Sequence, residues 1–173
     1  MAIRIEPLAK RHDRGAFSCG EPSLDDWFKH RASQDAKRDL AQVFVAIDDD
    51  PGLVGFYSLS AFTLQLEDLP VDLAKKLPRY DAIPAALVGR LARDVRVRGQ
   101  RVGEVLMADA IGRVLDARER LGIFAIVVDA LSGKAQAFYK SFGFVPLPTR
   151  PDRLFLLTAV AEQGRAGALR PRR

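Results

Sequence analysis

The residues with the clearest chemical potential are Arg98-Gly99-Gln100-Arg101-Val102-Gly103. They lie between a strand pattern over 86–95 and a helical pattern. In the latter, Val102, Val105, Leu106, Ala110, Val114 and Ala117 recur at steps of three and four. Backbone N–H groups in the first turn of a helix have no intrahelical partner. Glycines let that backbone approach a ligand, and the macrodipole favours an anion there. Arginines in the same turn add charge-assisted hydrogen bonds. The combination suits a phosphate or pyrophosphate; the plain alternative is a strand-turn-helix with solvated arginines. Two generic phosphate loops do not match. A Walker A loop needs a Lys and a hydroxyl that Gly99 to Glu104 does not supply. A dinucleotide fingerprint needs GxGxxG, whereas the glycines here are Gly99 and Gly103.

Other reactive side chains are sparse. His12 beside Asp13 reads as a surface pair rather than a catalytic dyad. Cys19 is the single cysteine, which excludes an internal disulfide framework. No partners stand near it at ligand spacing, so it reads as a small packed residue and no metal site is expected. Tyr57, inside a strand pattern, reads as packing. The formal net charge of +5 and the pI near 9.7 point to an anionic partner, either nucleic acid or an anionic cofactor. Lys29, Arg31, Lys37 and Arg38 share one side of a helix pattern, and Lys75, Lys76, Arg79, Arg90, Arg93 and Arg96 extend the basic set. For any one of them a solvated surface role is the plain alternative. With no signal-peptide pattern and no long apolar run, a soluble cytoplasmic protein without membrane contact is expected.

These side chains need elements to hold them. Residues 3–8 alternate as a first strand. Ser23-Leu-Asp-Asp resembles a capping box and opens a helix expected to run to about Asp39, with Leu24, Trp27 and Phe28 on its apolar side. Residues 42–47 and 53–63 read as a hairpin around Asp48-Asp-Asp-Pro-Gly52. A short helix over 70–76 and a Pro-bearing loop lead to the strand before the basic turn. After the long helix come a strand over 123–129, a helix over 133–142 closed by Gly143 in left-handed conformation, a strand at Phe144-Val145 and a last strand over 153–160. This order gives an α/β architecture, a central mixed sheet flanked by helices on both faces. The 173 residues fit a single domain over 1–163, and the basic 164–173 stretch, without periodicity, reads as a mobile tail.

Two linked motifs resemble the GNAT N-acetyltransferases. Arg98 and Gly103 fit the ends of the family's Q/R-x-x-G-x-G/A pyrophosphate loop. Downstream, Ala135-Gln-Ala-Phe-Tyr-Lys-Ser-Phe-Gly-Phe144 is similar to its AxxFYxxxGF helix. Arg101 departs from the pattern: it stands where the middle glycine belongs, and an Arg is expected to avoid conformations that only Gly adopts cheaply. More narrowly, Phe17-Ser-Cys-Gly-Glu-Pro-Ser-Leu-Asp-Asp-Trp27, Gly55-Phe-Tyr-Ser-Leu-Ser60 and Leu77-Pro-Arg-Tyr80 with Gly89-Arg-Leu-Ala92 look like the GNAT toxins of toxin–antitoxin pairs.

The resemblance implies the GNAT acyl-CoA N-acyltransferase fold, acetyl-CoA as donor and the α-amino group of charged tRNA as acceptor. It further implies a ribbon-helix-helix antitoxin as partner and a homodimer. The pantetheine arm would pair with the backbone of Leu91, Ala92 and Arg93. The pyrophosphate would sit at Arg98, Gly99, Gln100, Arg101, Val102 and Gly103, with Ser132 and Phe138 also beside the cofactor. Ser132 equally fits a helix N-cap. Tyr139 would be the catalytic acid at the departing sulfur. Asp94, Glu104 and Asp129 are the candidates for a base, none with a distinctive setting. An α-amine, with a pKa of about 7.7–8.0, needs a base less than a lysine at about 10.4. The tRNA contacts would come from Lys29, Arg31, Lys37, Arg38, Lys75, Lys76, Arg79, Arg90 and Arg96. A GNAT enzyme acting on a protein N-terminus or small amine, and a non-catalytic CoA-binding regulatory domain, are the competing expectations.

Overall fold

The computed structural model of the chain describes residues 2–168. Seven strands form one sheet in the order β1-β2-β3-β4-β5-β7-β6. These are β1 (Arg4–Pro7), β2 (Gln42–Ile47), β3 (Leu53–Leu64), β4 (Ile83–Arg93), β5 (Ala125–Asp129), β6 (Val145–Leu147) and β7 (Arg150–Leu157). The helices are α1 (Pro22–His30), α2 (Ala32–Lys37), α3 (Val71–Ala74), α4 (Val102–Ala117), α5 (Gly133–Lys140) and α6 (Thr158–Ala168). The sheet is mixed: β1-β2, β2-β3, β5-β7 and β6-β7 are antiparallel, while β4 and β5 are joined through α4, the crossover that parallel neighbours need. The chain divides into two compact units, residues 1–60 with 88–110, and residues 61–87 with 111–173.

In the first unit the expected hairpin is present, with Gln42 opposite Leu59 and a register shift at Ala46/Ile47. Its turn closes through Asp48 N–H to the Gly52 carbonyl, and Gly52 has φ +103°. The core gathers Phe17, Trp27, Phe28, Val43, Val45, Phe56 and Ala92. Phe28 stacks on Phe56 at 4.1 Å and Phe17 meets both edge-on, an arrangement that adds about 0.5–1.5 kcal/mol per pair to area burial. Gly55 is required by close packing: a Cβ there would lie 2.8 Å from a Leu106 methyl and 3.1 Å from the Ala92 carbonyl.

Three local expectations are corrected here. The helix after residue 21 is broken at Arg31 (φ −124°, ψ −26°) into α1 and α2. Its N-cap is Glu21 rather than Ser23, because Pro22 supplies the preset φ of a first helical residue. His12 pairs with Glu6 at 2.6 Å instead of Asp13, and its Nδ1 accepts from Ala9 N–H.

The second unit packs Leu64, Leu69, Ile83, Ala85, Ala125, Val127, Leu147 and Phe155. Gly143 has φ +96° and ends the α5 segment as expected. The expected tail is corrected in its first half. Residues 164–168 continue α6, where Arg165 bonds Asp116 at 3.0 Å; the stretch extends a helix already begun at Thr158, so two glycines do not end it. Residues 169–173 lie outside the described residues.

Candidate functional site

The candidate cofactor residues of the first unit follow one another along the chain from the end of β4. Ala92 is buried, and Leu91 and Arg93 are half-buried. β4 has eleven residues and its neighbour β5 only five, so β5 is too short to pair with all of β4. Next comes Asp94, whose carboxylate is buried. It accepts from Ser18 N–H at 3.2 Å and Arg96 N–H at 2.8 Å, and from the Arg96 guanidinium at 2.8 and 2.9 Å. Burial acts to raise its pKa, but the Arg96 side chain and the two amides outweigh it and hold the carboxyl below its usual range. Asp94 therefore caps the 3-10 turn Val95–Val97 and fixes the approach to the basic turn.

The basic turn itself is open. Gly99 has φ +77° and Arg101 has φ +61°. The Arg101 conformation corrects the expectation that an Arg avoids this region. Such a residue costs of order 1–2 kcal/mol relative to ordinary backbone. Its guanidinium is tied to Glu104, at 2.7–2.8 Å. Val105 N–H is the first to bond back into the turn, to the Arg101 carbonyl at 3.2 Å. The amides of Val102, Gly103 and Glu104 find no acceptor among the described residues. Free amides behind two left-handed residues form a concavity for an anion. Arg98 and Gln100 are exposed, Val102 buried and Gly103 half-buried around it. This donor set fits a diphosphate.

The second unit holds Ser132, Phe138 and Tyr139. Ser132 caps α5, its Oγ accepting Ala135 N–H at 3.1 Å. Phe138 is half-buried and contacts the Tyr139 and Phe142 rings at 5.4 and 5.3 Å. Tyr139 is only 7% exposed, and its hydroxyl makes no hydrogen bond among the described residues. No fully buried side-chain oxygen there lacks a partner, so the hydroxyl lies at the open edge of an otherwise buried ring. Burial, with the Asp129 charge as a second cause, pushes its pKa up to about 12.

None of the three carboxylates considered as bases is free. Asp94 is enclosed, Glu104 holds Arg101, and Asp129 is held by Arg153 through two bonds of 2.7 and 3.0 Å. Motif reading misses Arg153, because its link to Asp129 is a cross-strand pairing of β5 and β7 that neither stretch carries alone. Asp94 had a local signal: Asp followed two residues later by a turn amide is the pattern of a side-chain cap. Among the basic residues, Arg96 is committed to Asp94 and to the Leu53 carbonyl. Lys29 and Arg90 are half-buried, and Arg31, Lys37 and Arg38 exposed, in the first unit; Lys75, Lys76 and Arg79 are exposed in the second. Among the described residues there is no cluster of three His, Cys, Asp or Glu able to hold a metal, and no helix is long and apolar enough to cross a membrane.

Residues 39–146 match the family model described as an acetyltransferase (GNAT) domain. The chain belongs to the GNAT acetyltransferases. The matched span includes the open turn, β5 and Tyr139. Two GNAT relatives are close in sequence. "Probable toxin TacT" of Sinorhizobium fredii is 35% identical over 161 residues, covering 88% of this chain and 89% of the relative. "tRNA-acetylating toxin" of Mycobacterium tuberculosis is 39% identical over 150 residues, covering 87% and 89%. Among solved structures, AtaT complexed with acetyl-methionyl-tRNAfMet has a TM-score of 0.87 at 30% identity, covering 95% of this chain and 99% of AtaT. AtaTR bound with AcCoA has 0.82 at 30%, covering 94% and 98%. The fold is that of GNAT enzymes, a mixed seven-stranded sheet with helices.

Proposed function

We propose that this chain transfers the acetyl group of acetyl-CoA to the α-amino group of the amino acid on charged tRNA, acting as a toxin that blocks translation. The observation that carries the cofactor half is the open turn: three unpaired amides, two left-handed residues and Arg98 at the start of α4. The acceptor half rests on the tRNA-acetylating relatives and on the engaged carboxylates.

Acetyl-CoA supplies a thioester acyl group and a thiol leaving group. Leu91–Arg93 would hold the pantetheine by added-strand hydrogen bonds, and Arg98–Gly103 the diphosphate. Ser132 Oγ, already an acceptor for Ala135 N–H, keeps its own proton to donate. The new C–N bond forms as the C–S bond breaks and negative charge collects on sulfur; the proton lost by the amine leaves through water and the departing thiolate takes one up, giving amide and free thiol. Tyr139 would donate a hydrogen bond to that sulfur. With its pKa near 12, against about 8.5 for an ordinary thiol, the phenol retains its proton at equilibrium. It acts as a donor and cannot act as a base. The engagement of Asp94, Glu104 and Asp129 favours an acceptor amine with a substantial neutral fraction, whose proton water can carry away. An α-amine, at a pKa of about 7.7–8.0, meets that condition and a lysine does not.

Incubation with labelled acetyl-CoA and total charged tRNA tests the reading. Label should appear on the aminoacyl ester and leave the RNA on mild alkaline treatment. Label found only on protein N-termini or small amines would move the chain to another acceptor class. An antitoxin belongs to the same reading: expression alone should arrest growth, and co-expression of an adjacent ribbon-helix-helix gene should restore it.

A further inference from the structure

The basic residues of the first unit are not equivalent, and Arg90 stands apart. Its guanidinium carbon lies 4.2 Å from the Trp27 ring centroid. Trp27 is 4% exposed and cannot swing away: its Nε1–H donates to Asp35 Oδ2 at 2.9 Å, and its ring packs near Phe56 in the core. The Arg90 backbone is pinned as well, its N–H donating to Ser58 Oγ at 3.1 Å. Both ends of the residue are thus fixed before any ligand arrives.

A guanidinium has five N–H donors in a planar fork. Here none reaches an acceptor, and no carboxylate stands within ion-pair distance, among the described residues. Half-buried Arg14, Arg118 and Arg153 each find an oxygen. Arg93 also finds none, but it sits on the stretch assigned above to the pantetheine. Leaving a half-buried cation unpaired is unfavourable. Arg31 adds to the strain: it is exposed, at the break between α1 and α2, has no ion pair among the described residues, and its like charge repels that of Arg90. Burial is the larger cause of the lowered Arg90 pKa, and only Asp35 works the other way. Asp35 faces Trp27 and is already used there. Two like charges, one set over an aromatic face with its N–H donors unused among the described residues, would be relieved by one anion taken in two-point fashion, as phosphate is.

We infer that Arg90 anchors a phosphate of the aminoacylated end of the RNA, with Arg31 as a second cation and with Trp27 and Asp35 as positioning residues. This rests on the acceptor reading of the proposed function. Phosphate contacts set where a nucleic acid lies without reading its sequence, so Arg90 fixes placement of the ester and not the choice of amino acid.

The test compares Arg90→Gln, Arg90→Lys, Arg31→Gln and Trp27→Phe with the unaltered protein. The acceptors are total charged tRNA and, without phosphate, an amino-acid methyl ester. For Arg90→Gln, the KM for charged tRNA should rise about tenfold with kcat nearly unchanged, the size of one charge-assisted hydrogen bond. The ratio of tRNA to ester kcat/KM should fall by the same factor. The slope of log binding against log salt should lose about 0.7–0.9, one phosphate contact. Arg90→Lys should restore the slope but not the full affinity, since an ammonium lacks the stacked fork. Trp27→Phe should keep the slope and raise KM. Arg31→Gln, at an exposed position, gives the slope change free of any folding defect. An unchanged KM and slope in Arg90→Gln and Arg31→Gln overturns the inference. So does an equal loss with both acceptors, or a rise confined to the KM for acetyl-CoA, which would hand Arg90 to the cofactor. If the unaltered protein acetylates no charged tRNA, the proposed function falls first.

Discussion

Helices α4 and α5 begin with the same problem and resolve it differently. Each has a glycine in its first turn, Gly103 and Gly133. Each leaves amide groups that the helix itself cannot satisfy. At α5 the chain answers with its own side chain, Ser132 Oγ accepting Ala135 N–H. At α4 no side chain caps the first turn, and the Val102, Gly103 and Glu104 amides stay unpaired among the described residues behind Gly99 and Arg101. Among the described residues α5 still leaves the Gly133 and Lys134 amides without an acceptor, so the difference lies in the side-chain cap at α5 against two left-handed residues and none at α4. In this reading α4 binds the cofactor and α5 carries Tyr139, whose ring is buried.

The sharpest way to break this division is to remove the hydroxyl from α5. Tyr139→Phe should lower acetyl transfer at least about a hundredfold, the lower range for a positioned proton donor. Acetyl-CoA affinity by calorimetry should stay within twofold of the original, because α4 is untouched. Unchanged turnover would remove Tyr139 from the reaction. A large loss of acetyl-CoA affinity would mean that α5 also binds, and the division would fail.

The open turn keeps its shape without a cap because Asp94 clamps the chain just before it. Asp94→Asn leaves Arg96 without its buried partner and should cost about 2 kcal/mol in thermal or denaturant unfolding at pH 7. The pH dependence has a definite sign. The folded pKa of Asp94 is lowered, below an unfolded value of about 3.9. Its contribution is therefore complete above that unfolded value and is lost as pH falls through the folded one. Melting temperatures should differ by a constant amount at neutral pH and begin to converge only below about pH 4, as the pH falls toward the lowered folded value.

The contrast between these helices shows what could be read without coordinates. The α4 turn was legible because glycines, arginines and a change of hydrophobic period sit next to one another in sequence. Ser132 was legible as a cap because N-capping is a contact over three residues. The hairpin and the order of the strands were legible for the same local reason. The clamp on Asp94 was only half visible, since Ser18 comes to it from a distant segment. The Asp129–Arg153 pair depends on the β5-β7 register, and the Arg90 perch on Trp27 depends on α1 packing over the sheet core. Basic residues look alike as letters. Arg96 is consumed by a carboxylate and Arg90 is not, a difference that only tertiary contacts create.

Smaller substitutions sharpen the comparison between the two starts. Arg98→Gln should weaken acetyl-CoA about tenfold, one charge-assisted hydrogen bond, with little change in melting temperature because Arg98 is exposed. Ser132→Ala should do the reverse. It should cost about 1 kcal/mol of stability through the lost cap and change acetyl-CoA affinity far less than Arg98→Gln. A Ser132→Ala variant with full stability and poor cofactor binding would place the hydroxyl on the ligand instead of on the helix.

Arg101 carries the finest prediction, because two effects of one residue oppose each other. Its left-handed φ of +61° costs of order 1 kcal/mol that glycine would not incur. Glycine gives part of this back through the greater freedom of the unfolded chain, and the exposed Arg101–Glu104 pair is worth only a few tenths of a kcal/mol. Arg101→Gly should therefore leave stability unchanged or raise it by under about 1 kcal/mol. Binding should move the other way. Arg101 neutralises Glu104, whose carboxylate stands in the first turn of α4 beside the free amides. Unpaired, that carboxylate repels an incoming diphosphate and already occupies the favourable end of the helix dipole. A surface interaction of this kind is worth about 0.3–1 kcal/mol, so the KM for acetyl-CoA should rise about two- to fivefold. The double variant Arg101→Gly, Glu104→Gln should restore it. Restoration would show that the arginine stands at the glycine position to cancel a charge; a KM that stays high would show that its guanidinium itself holds the phosphate.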